Sequence, residues 1–255
     1  VPGVRSSFFG PGASRPVIRG LSGPRVLVLT NGIGLIDASG LSPDHQVASD
    51  PQEAERIEVL RGPSALAYGG SAIGGIVNII DERIPSTYRD GLHGRALGAY
   101  SSVDDGRQLS GALSAGIGHG ITFTADATHR RTYDYEVPVD PISRALAARL
   151  GLPAPSRGDT KVPNTYVDLD AYGAGASYAG GKGWGGVAIK QTDSTYGSAA
   201  EEAVHIELKQ TRVDVRGGLD VAFGPFETVK FAGGYADYKH TEFDGPDPGT
   251  TFLSK

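Results

Sequence analysis

From Gly91 onward, apolar and polar residues alternate with a period of two. Across 121–130, Ile121, Phe123, Ala125 and Ala127 fall on one side of an extended chain, and Thr122, Thr124, Asp126, Thr128 and Arg130 on the other. Across 209–221 the odd positions carry Thr211, Val213, Val215, Leu219 and Val221, and the even positions Gln210, Arg212, Asp214, Arg216 and Asp220. Residues 109–117 repeat the pattern, with Leu109, Leu113 and Ile117 against Ser110 and Ser114. Successive side chains of a strand point to opposite faces, so this stretch is expected to form strands with one apolar and one polar face. Residues 1 to about 85 follow another grammar. Val26–Leu29 is an apolar run closed by the turn dipeptide Asn31-Gly32, Arg56–Leu60 alternates until Arg61-Gly62-Pro63 breaks it, and Ile76–Ile80 is a last apolar run. Asp50-Pro51 followed by Glu53 has the signature of a helix N-terminus, and Ser64–Tyr68 suits a short helical turn. An α+β module followed by antiparallel strands is the expected organisation, divided as 1–85 and 86–255.

Alternation alone leaves a soluble sandwich and a membrane barrel equally open, because either buries one face. Connection lengths separate them. Residues 118–120, 180–183 and 224–225 form tight turns, whereas 101–107, 132–165, 196–205 and the stretch from Asp244 onward are longer. Short turns alternating with long connections are the pattern of outer-membrane barrels, with short periplasmic turns and longer outer loops. Tyr178, Trp184, Phe223 and Phe226 lie near the short turns, where an interfacial aromatic girdle would place them. The polar side is therefore read as facing inward. About seven strands are expected here against ~22 in a plugged transporter barrel, or about a third of one.

Composition narrows the remaining classes. Glycine contributes 38 of 255 residues, about twice its usual ~7% share, which suits turns and close-packed strands. The net charge of −5 offers no basic face for nucleic acid, and with no Cys there is neither a disulfide framework nor a thiolate metal site. No apolar run approaches the ~18 residues of a membrane-spanning helix, which leaves β-barrels untouched. Met is absent even from position 1, so the chain reads as an internal piece of a longer polypeptide whose targeting segment has been removed. Gly69-Gly70-Ser71-Ala72-Ile73-Gly74-Gly75 lacks the Lys-Ser/Thr of a phosphate loop and is read as tight turns. Pro141–Leu152 has helical spacing and suits a short helix within an outer loop. No spacing argues for a catalytic constellation, so the chain is not read as an enzyme.

Arg15-Pro16-Val17-Ile18-Arg19-Gly20, then Arg56-Ile57-Glu58-Val59-Leu60-Arg61-Gly62-Pro63, Tyr68-Gly69 and Ala72-Ile73-Gly74-Gly75-Ile76-Val77-Asn78-Ile79 resemble the plug domain of TonB-dependent outer-membrane receptors. The resemblance implies a globular plug inside a 22-stranded barrel in a Gram-negative outer membrane, importing a small ligand or metal with energy from the TonB complex. It also implies lipid contact for the barrel and no cofactor beyond the cargo. The inward polar residues Thr124, Asp126, Arg212, Asp214 and Arg216 would then meet the plug or line the route, and plug residues Arg56, Glu58 and Arg61 are candidates for ion pairs to the wall.

Asp37-Ala38, Ser42-Pro43-Asp44-His45, Asp50-Pro51, Glu55-Arg56 and Lys209-Gln210-Thr211-Arg212 resemble the zinc-receptor branch of that family. This implies Asp44 and His45 as metal ligands, completed by wall residues expected beyond Lys255. A carboxylate and a neutral imidazole are ordinary zinc ligands; the same pair in a capped turn is also an ordinary hydrogen-bonded motif. Zinc receptors of this type carry a long His-rich outer loop, whereas Ser198–His205 offers only Glu201, Glu202 and His205. A siderophore or organic ligand therefore remains the alternative cargo, and a soluble β-rich binding or adhesion module the alternative of another class.

Overall fold

A computed structural model of the chain describes every residue except 41, 152, 154–157, 159, 225 and 255, and every described side chain except those of 52, 202, 222 and 223. The N-terminal module opens with a hairpin of β1 (Val4–Phe8) and β2 (Ser14–Ile18). A four-stranded sheet follows in the order β4-β3-β6-β5, from β3 (Val26–Thr30), β4 (Ile33–Gly34), β5 (Arg56–Leu60) and β6 (Gly75–Ile80). β3 and β6 run parallel, which requires the long crossover that residues 35–74 supply. Asn31 and Gly32 take φ of 53° and 82°, the left-handed values of a tight hairpin turn, and join β3 to β4 as their dipeptide predicts. The helix expected after Asp50 is only a 3₁₀ turn over Pro51–Glu53, because Glu55 is already drawn into hydrogen bonding with Ile80. A longer 3₁₀ segment covers Gly62–Tyr68.

The rest is one antiparallel sheet of eight strands in simple sequence order. These are β7 (Gly91–Ser101), β8 (Gly106–Gly116), β9 (Ile121–Thr132), β10 (Val167–Gly180), β11 (Gly183–Ser198), β12 (Glu201–Phe223), β13 (Phe226–Asp244) and β14 (Asp247–Ser254). Three expectations change. The connections at 101–107, 196–205 and beyond Asp244 are not long: Ser101 already pairs with Gly106, β11 and β12 continue pairing up to Ala199-Ala200, and β13 turns at Gly245 into an eighth strand. Backbone pairing overrides the loop-like Pro248-Gly249, and Phe252 packs against Tyr238 and His240. What lengthens this side is strand, with 23 residues in β12, about twice the ~9–11 a tilted strand needs to cross a bilayer. Among the described residues only 133–166 is a long connection, and it carries helix α1 (Arg144–Leu150), capped by the Ser143 hydroxyl accepting from the Leu146 amide at 3.2 Å. Tyr178 and Phe226 are exposed near the short turns and Trp184 is half-buried there, while the Phe223 side chain is outside the described residues.

The two faces sort as the alternation predicts. Phe123, Tyr172, Ile189, Val215 and Tyr235 are exposed on the outer face. Thr128, Ala171, Thr192, Gln210 and Tyr238 lie in one register row on the inner face, and all are buried. The N-terminal module packs on that inner face. Ala13, Ala38 and Ala48 meet Val167, Leu169, Tyr196, Ile206, Leu208 and Tyr238 in a single apolar cluster, and the sheet's side chains also reach the module's backbone. Gln210 Nε2 donates to the Ile36 carbonyl at 2.8 Å, Arg212 Nη1 to the Gly34 carbonyl at 3.3 Å and Arg216 Nη2 to the Ile84 carbonyl at 2.6 Å.

Below this cluster the contact becomes ionic. Arg83, 8% exposed, donates to Asp81 and Glu53 at 2.7 Å and to both oxygens of Asp126 on β9 at 2.8 Å. Lys190 of β11 reaches the same Glu53 oxygen at 2.6 Å. Burial pushes the Glu53 and Asp81 carboxyls up, but Lys190 and Arg83 beside Glu53, and Arg83 beside Asp81, hold both below their ordinary values. The backbone of Arg83 lies so close to β10 that a Cβ on Gly175 would come within 2.2 Å of its carbonyl oxygen, so this inward glycine makes room for the linker. The ion pairs expected from Arg56, Glu58 and Arg61 to the wall do not form. Arg56 pairs with Glu58 at 2.8 Å, and Arg61 donates to the Pro2 carbonyl at 2.9 Å. β5 is the edge of the small sheet, and its charges are satisfied locally.

Two outcomes follow. In the full-length protein, Val215→Arg places charge on the outer apolar face and costs about 2–4 kcal/mol near the bilayer midplane, whereas Thr195→Arg, on the same face beyond the apolar rows, costs about 0–1 kcal/mol; denaturant titration in lipid vesicles measures both. Arg83→Met removes the shared partner of buried Asp81, buried Glu53 (which keeps Lys190) and half-buried Asp126, and costs about 3–5 kcal/mol, read in the same assay. Because the folded pKa values of Glu53 and Asp81 lie below the unfolded ones, their contribution is fully present above about pH 5 and is lost as pH falls through the depressed values. Stability that instead rises on acidification below about pH 4 would contradict this assignment.

Candidate metal and ligand site

The loop after the 3₁₀ turn Ala38–Gly40 is folded around Asp37. Its carboxylate accepts from the Ser39 amide and from the Ala48 amide, each at 3.0 Å, which draws the two ends of the loop together. The Gln46 amide donates to the Tyr196 hydroxyl at 2.9 Å and ties the loop to β11. His45, 7% exposed, is thereby directed at the inner face of the large sheet.

There it meets residues of β13. His45 Nε2 lies 3.1 Å from Glu242 Oε1, and His240 Nε2 lies 3.9 Å from the same oxygen. The two imidazole rings are edge to face with centroids 4.9 Å apart. His240 Nδ1 is engaged by the Tyr238 hydroxyl at 3.1 Å and its ring stacks on Phe252, which leaves Nε2 for the cluster. One ligating atom from each of His45, His240 and Glu242 falls within 4.8 Å of the others. Donors around a tetrahedral zinc are about 3.3 Å apart, given Zn–N and Zn–O bonds of ~2.0–2.2 Å, so modest side-chain rotation closes the set.

Asp44, expected as a ligand beside His45, occupies a different place. Its carboxylate contacts His45 Nδ1 at 3.1 Å and accepts from the Ser42 hydroxyl, on the side of the ring away from Glu242. Burial pushes the Asp44 carboxyl up, but the Ser42 hydroxyl and the neighbouring His45 bring it below its ordinary value, so it remains an acceptor that fixes the ring. A carboxylate on the far nitrogen of an imidazole is the usual support for a metal-binding histidine.

Wall partners were expected beyond Lys255; within the chain the wall side chains that meet His45 are His240 and Glu242. The signal for them was His-x-Glu on the inward parity of β13, visible once the strand's faces were assigned. His205 is elsewhere, stacked on Phe243 at 5.0 Å; Glu201 is exposed, and the side chain of Glu202 is outside the described residues.

Residues 1–76 match the family described as TonB-dependent Receptor Plug Domain. Over 182 residues the chain is 31% identical to the ferric enterobactin receptor PirA of Pseudomonas aeruginosa, covering 60% of this chain and 23% of that protein. Over 120 residues it is 34% identical to the vitamin B12 transporter BtuB of Photobacterium profundum, covering 46% of this chain and 19% of that protein. The fold is similar to that of the copper transporter OprC, with a TM-score of 0.70 at 18% identity over 94% of this chain and 34% of that one. The chain thus spans about a fifth of the length of the curated relatives it matches. With a hairpin and small sheet packed on an antiparallel wall, residues 1–76 match the TonB-dependent receptor plug domain, and the chain is similar to receptors of the Gram-negative outer membrane.

Proposed function

We propose that the chain, divided at about residue 85 into plug and wall, is part of a receptor that imports a small metal-bearing ligand across the outer membrane, driven by the TonB complex. The relatives, a ferric enterobactin receptor and a rhizobactin receptor, favour a metal chelate of the siderophore type as cargo. In this reading the ligand binds above the plug, among the long strand ends and the 133–166 connection, and force on the plug opens a path along the inner face. The same relatives, receptors and transporters, support reading the chain as no enzyme.

One observation favours a second reading, in which the cargo is a divalent ion such as zinc held directly by the chain. His45 from the plug and His240 with Glu242 from the wall present three donors across the interface that transport has to open. A metal bridging the two parts would tie cargo binding to plug seating. His45, His240 and Glu242 would be the ligands, with Asp44 orienting His45.

Calorimetry of the full-length receptor with zinc chloride tests the second reading, and TonB-dependent uptake of an iron-loaded catecholate siderophore tests the first. Loss of one ligand opens the shell, so His45→Ala and Glu242→Gln are each expected to weaken zinc binding at least tenfold, with Asp44→Ala falling between them and the parent. Zinc affinity unchanged in all three variants would remove the ion reading and leave the chelate reading to the uptake assay.

A further inference from the structure

The charged contacts that join plug and wall have a polarity. Arg130 of β9 holds the Asp50 carboxylate at 3.4 Å, and Lys190 of β11 holds that of Glu53 at 2.6 Å. Gln210, Arg212 and Arg216 donate to plug and linker carbonyls in the same sense. The bidentate Arg83–Asp126 pair runs the other way, and its cation belongs to the linker. Along β9, β11 and β12 the wall thus offers cations where the plug offers oxygens.

Among the described residues, Arg130 and Lys190 meet no carboxylate of the wall, and Arg216 is in no ion pair. Arg212 differs, being matched by Asp214 at 2.9 Å. Donor capacity is also left over. Arg130 Nε, Arg212 Nη2 and Arg216 Nε are buried without a hydrogen-bond acceptor among the described residues. The register sets these cations at even steps. Arg130 is level with Ser194, Lys190 with Arg212 four residues away along β11, and Arg216 with Gly186 four residues further again. Each step is about 13 Å along the strands at ~3.3 Å per residue, descending from the side of the long connection toward the short turns.

A buried cation that loses its carboxylate must be hydrated or find another anion. When the plug moves, Arg130 and Lys190 are left facing the space it vacates, in a cleft whose low-dielectric sides concentrate their field. We propose that Arg130, Lys190 and Arg216 form a relay for an anionic, oxygen-rich cargo, and that Asp50 and Glu53 of the plug occupy its first two places while the route is closed. A chelate whose metal is wrapped in phenolate or carboxylate oxygens offers acceptors to the same donors, and guanidinium and ammonium groups hold such oxygens through charge-assisted hydrogen bonds. Plug carboxylates leave as cargo oxygens arrive, so neither cation is stranded. A bare divalent cation is repelled along the same steps. The relay rests on the chelate reading above and adds to it where the cargo travels and what charge it carries.

Uptake of an iron-loaded catecholate siderophore by cells carrying the full-length receptor tests the relay. Two double variants break the same two ion pairs from opposite sides. Arg130→Gln/Lys190→Gln removes the wall cations and is expected to slow uptake about tenfold or more, what one lost charge-assisted hydrogen bond is worth. The amount of receptor in the outer membrane and the binding of chelate at the cell surface are expected to stay at parental levels. Asp50→Asn/Glu53→Gln removes the plug carboxylates, leaves the relay intact and is expected to import at the parental rate or faster. Arg130→Lys/Lys190→Arg keeps both charges and is expected to stay near the parental rate. Where a double variant does not assemble, Lys190→Gln and Glu53→Gln make the same comparison singly. Equal slowing by the wall and plug variants overturns the relay, because the ion pairs then serve only to seat the plug. Parental uptake by the wall variant overturns it as well. A parent that imports no chelate overturns the chelate reading, and the relay falls with it.

Discussion

An ion removed from water carries a desolvation penalty of several kcal/mol unless partners surround it. Arg83 is such an ion, and the seating of the plug depends on how it is surrounded. Asp81 comes from its own linker, Glu53 from the crossover between the parallel strands and Asp126 from the wall, so one guanidinium joins three segments that are distant in sequence. Lys190 adds a second strand of the wall through Glu53. The apolar cluster above, from Ala13 to Tyr238, is non-directional and would tolerate small displacements; the forked geometry of a guanidinium does not. The linker can approach because Gly175 presents no side chain to the Arg83 carbonyl. Contact between plug and wall is therefore adhesive near the outer end and specified by direction deeper in.

What was legible in the sequence follows the same division. Strand faces were readable because lipid and plug impose opposite requirements on alternate residues, so Phe123 and Thr124 separate with no knowledge of their neighbours. The plug strands Val26–Thr30 and Gly75–Ile80 were readable from apolar runs and their turn residues. Long-range ionic partnership left no such trace. Arg56, Glu58 and Arg61 form a conspicuous charged run yet pair locally, whereas Arg83, Glu53 and Asp126 lie far apart in the chain and their meeting is decided by the fold.

Connection lengths misled for a related reason. Pro248-Gly249 and the polar stretch near Ala199-Ala200 have loop chemistry, but an adjacent strand offers unpaired backbone groups, and pairing continues into β14 and the far ends of β11 and β12. Local propensity describes the segment; the neighbouring strand determines the outcome. The His45 cluster combines both cases. Its loop half could be seen as a Ser-Pro-Asp-His motif, and its wall half became recognisable only with the inward parity of His240 and Glu242.

The two-residue repeat of β12 has a consequence for how such a protein can change over generations. Its odd residues answer to the bilayer and its even residues to the plug, so two nearly independent texts are interleaved in one stretch of gene. Replacement of Val213 or Val215 by another apolar residue is judged by lipid alone, while changes at Gln210, Arg212 or Arg216 are judged by what lies inside. Selection can rewrite the inner text while the outer text is kept. A single-residue insertion within the strand would exchange the two texts at once. Such a protein is therefore free to drift by substitution and constrained against change in length.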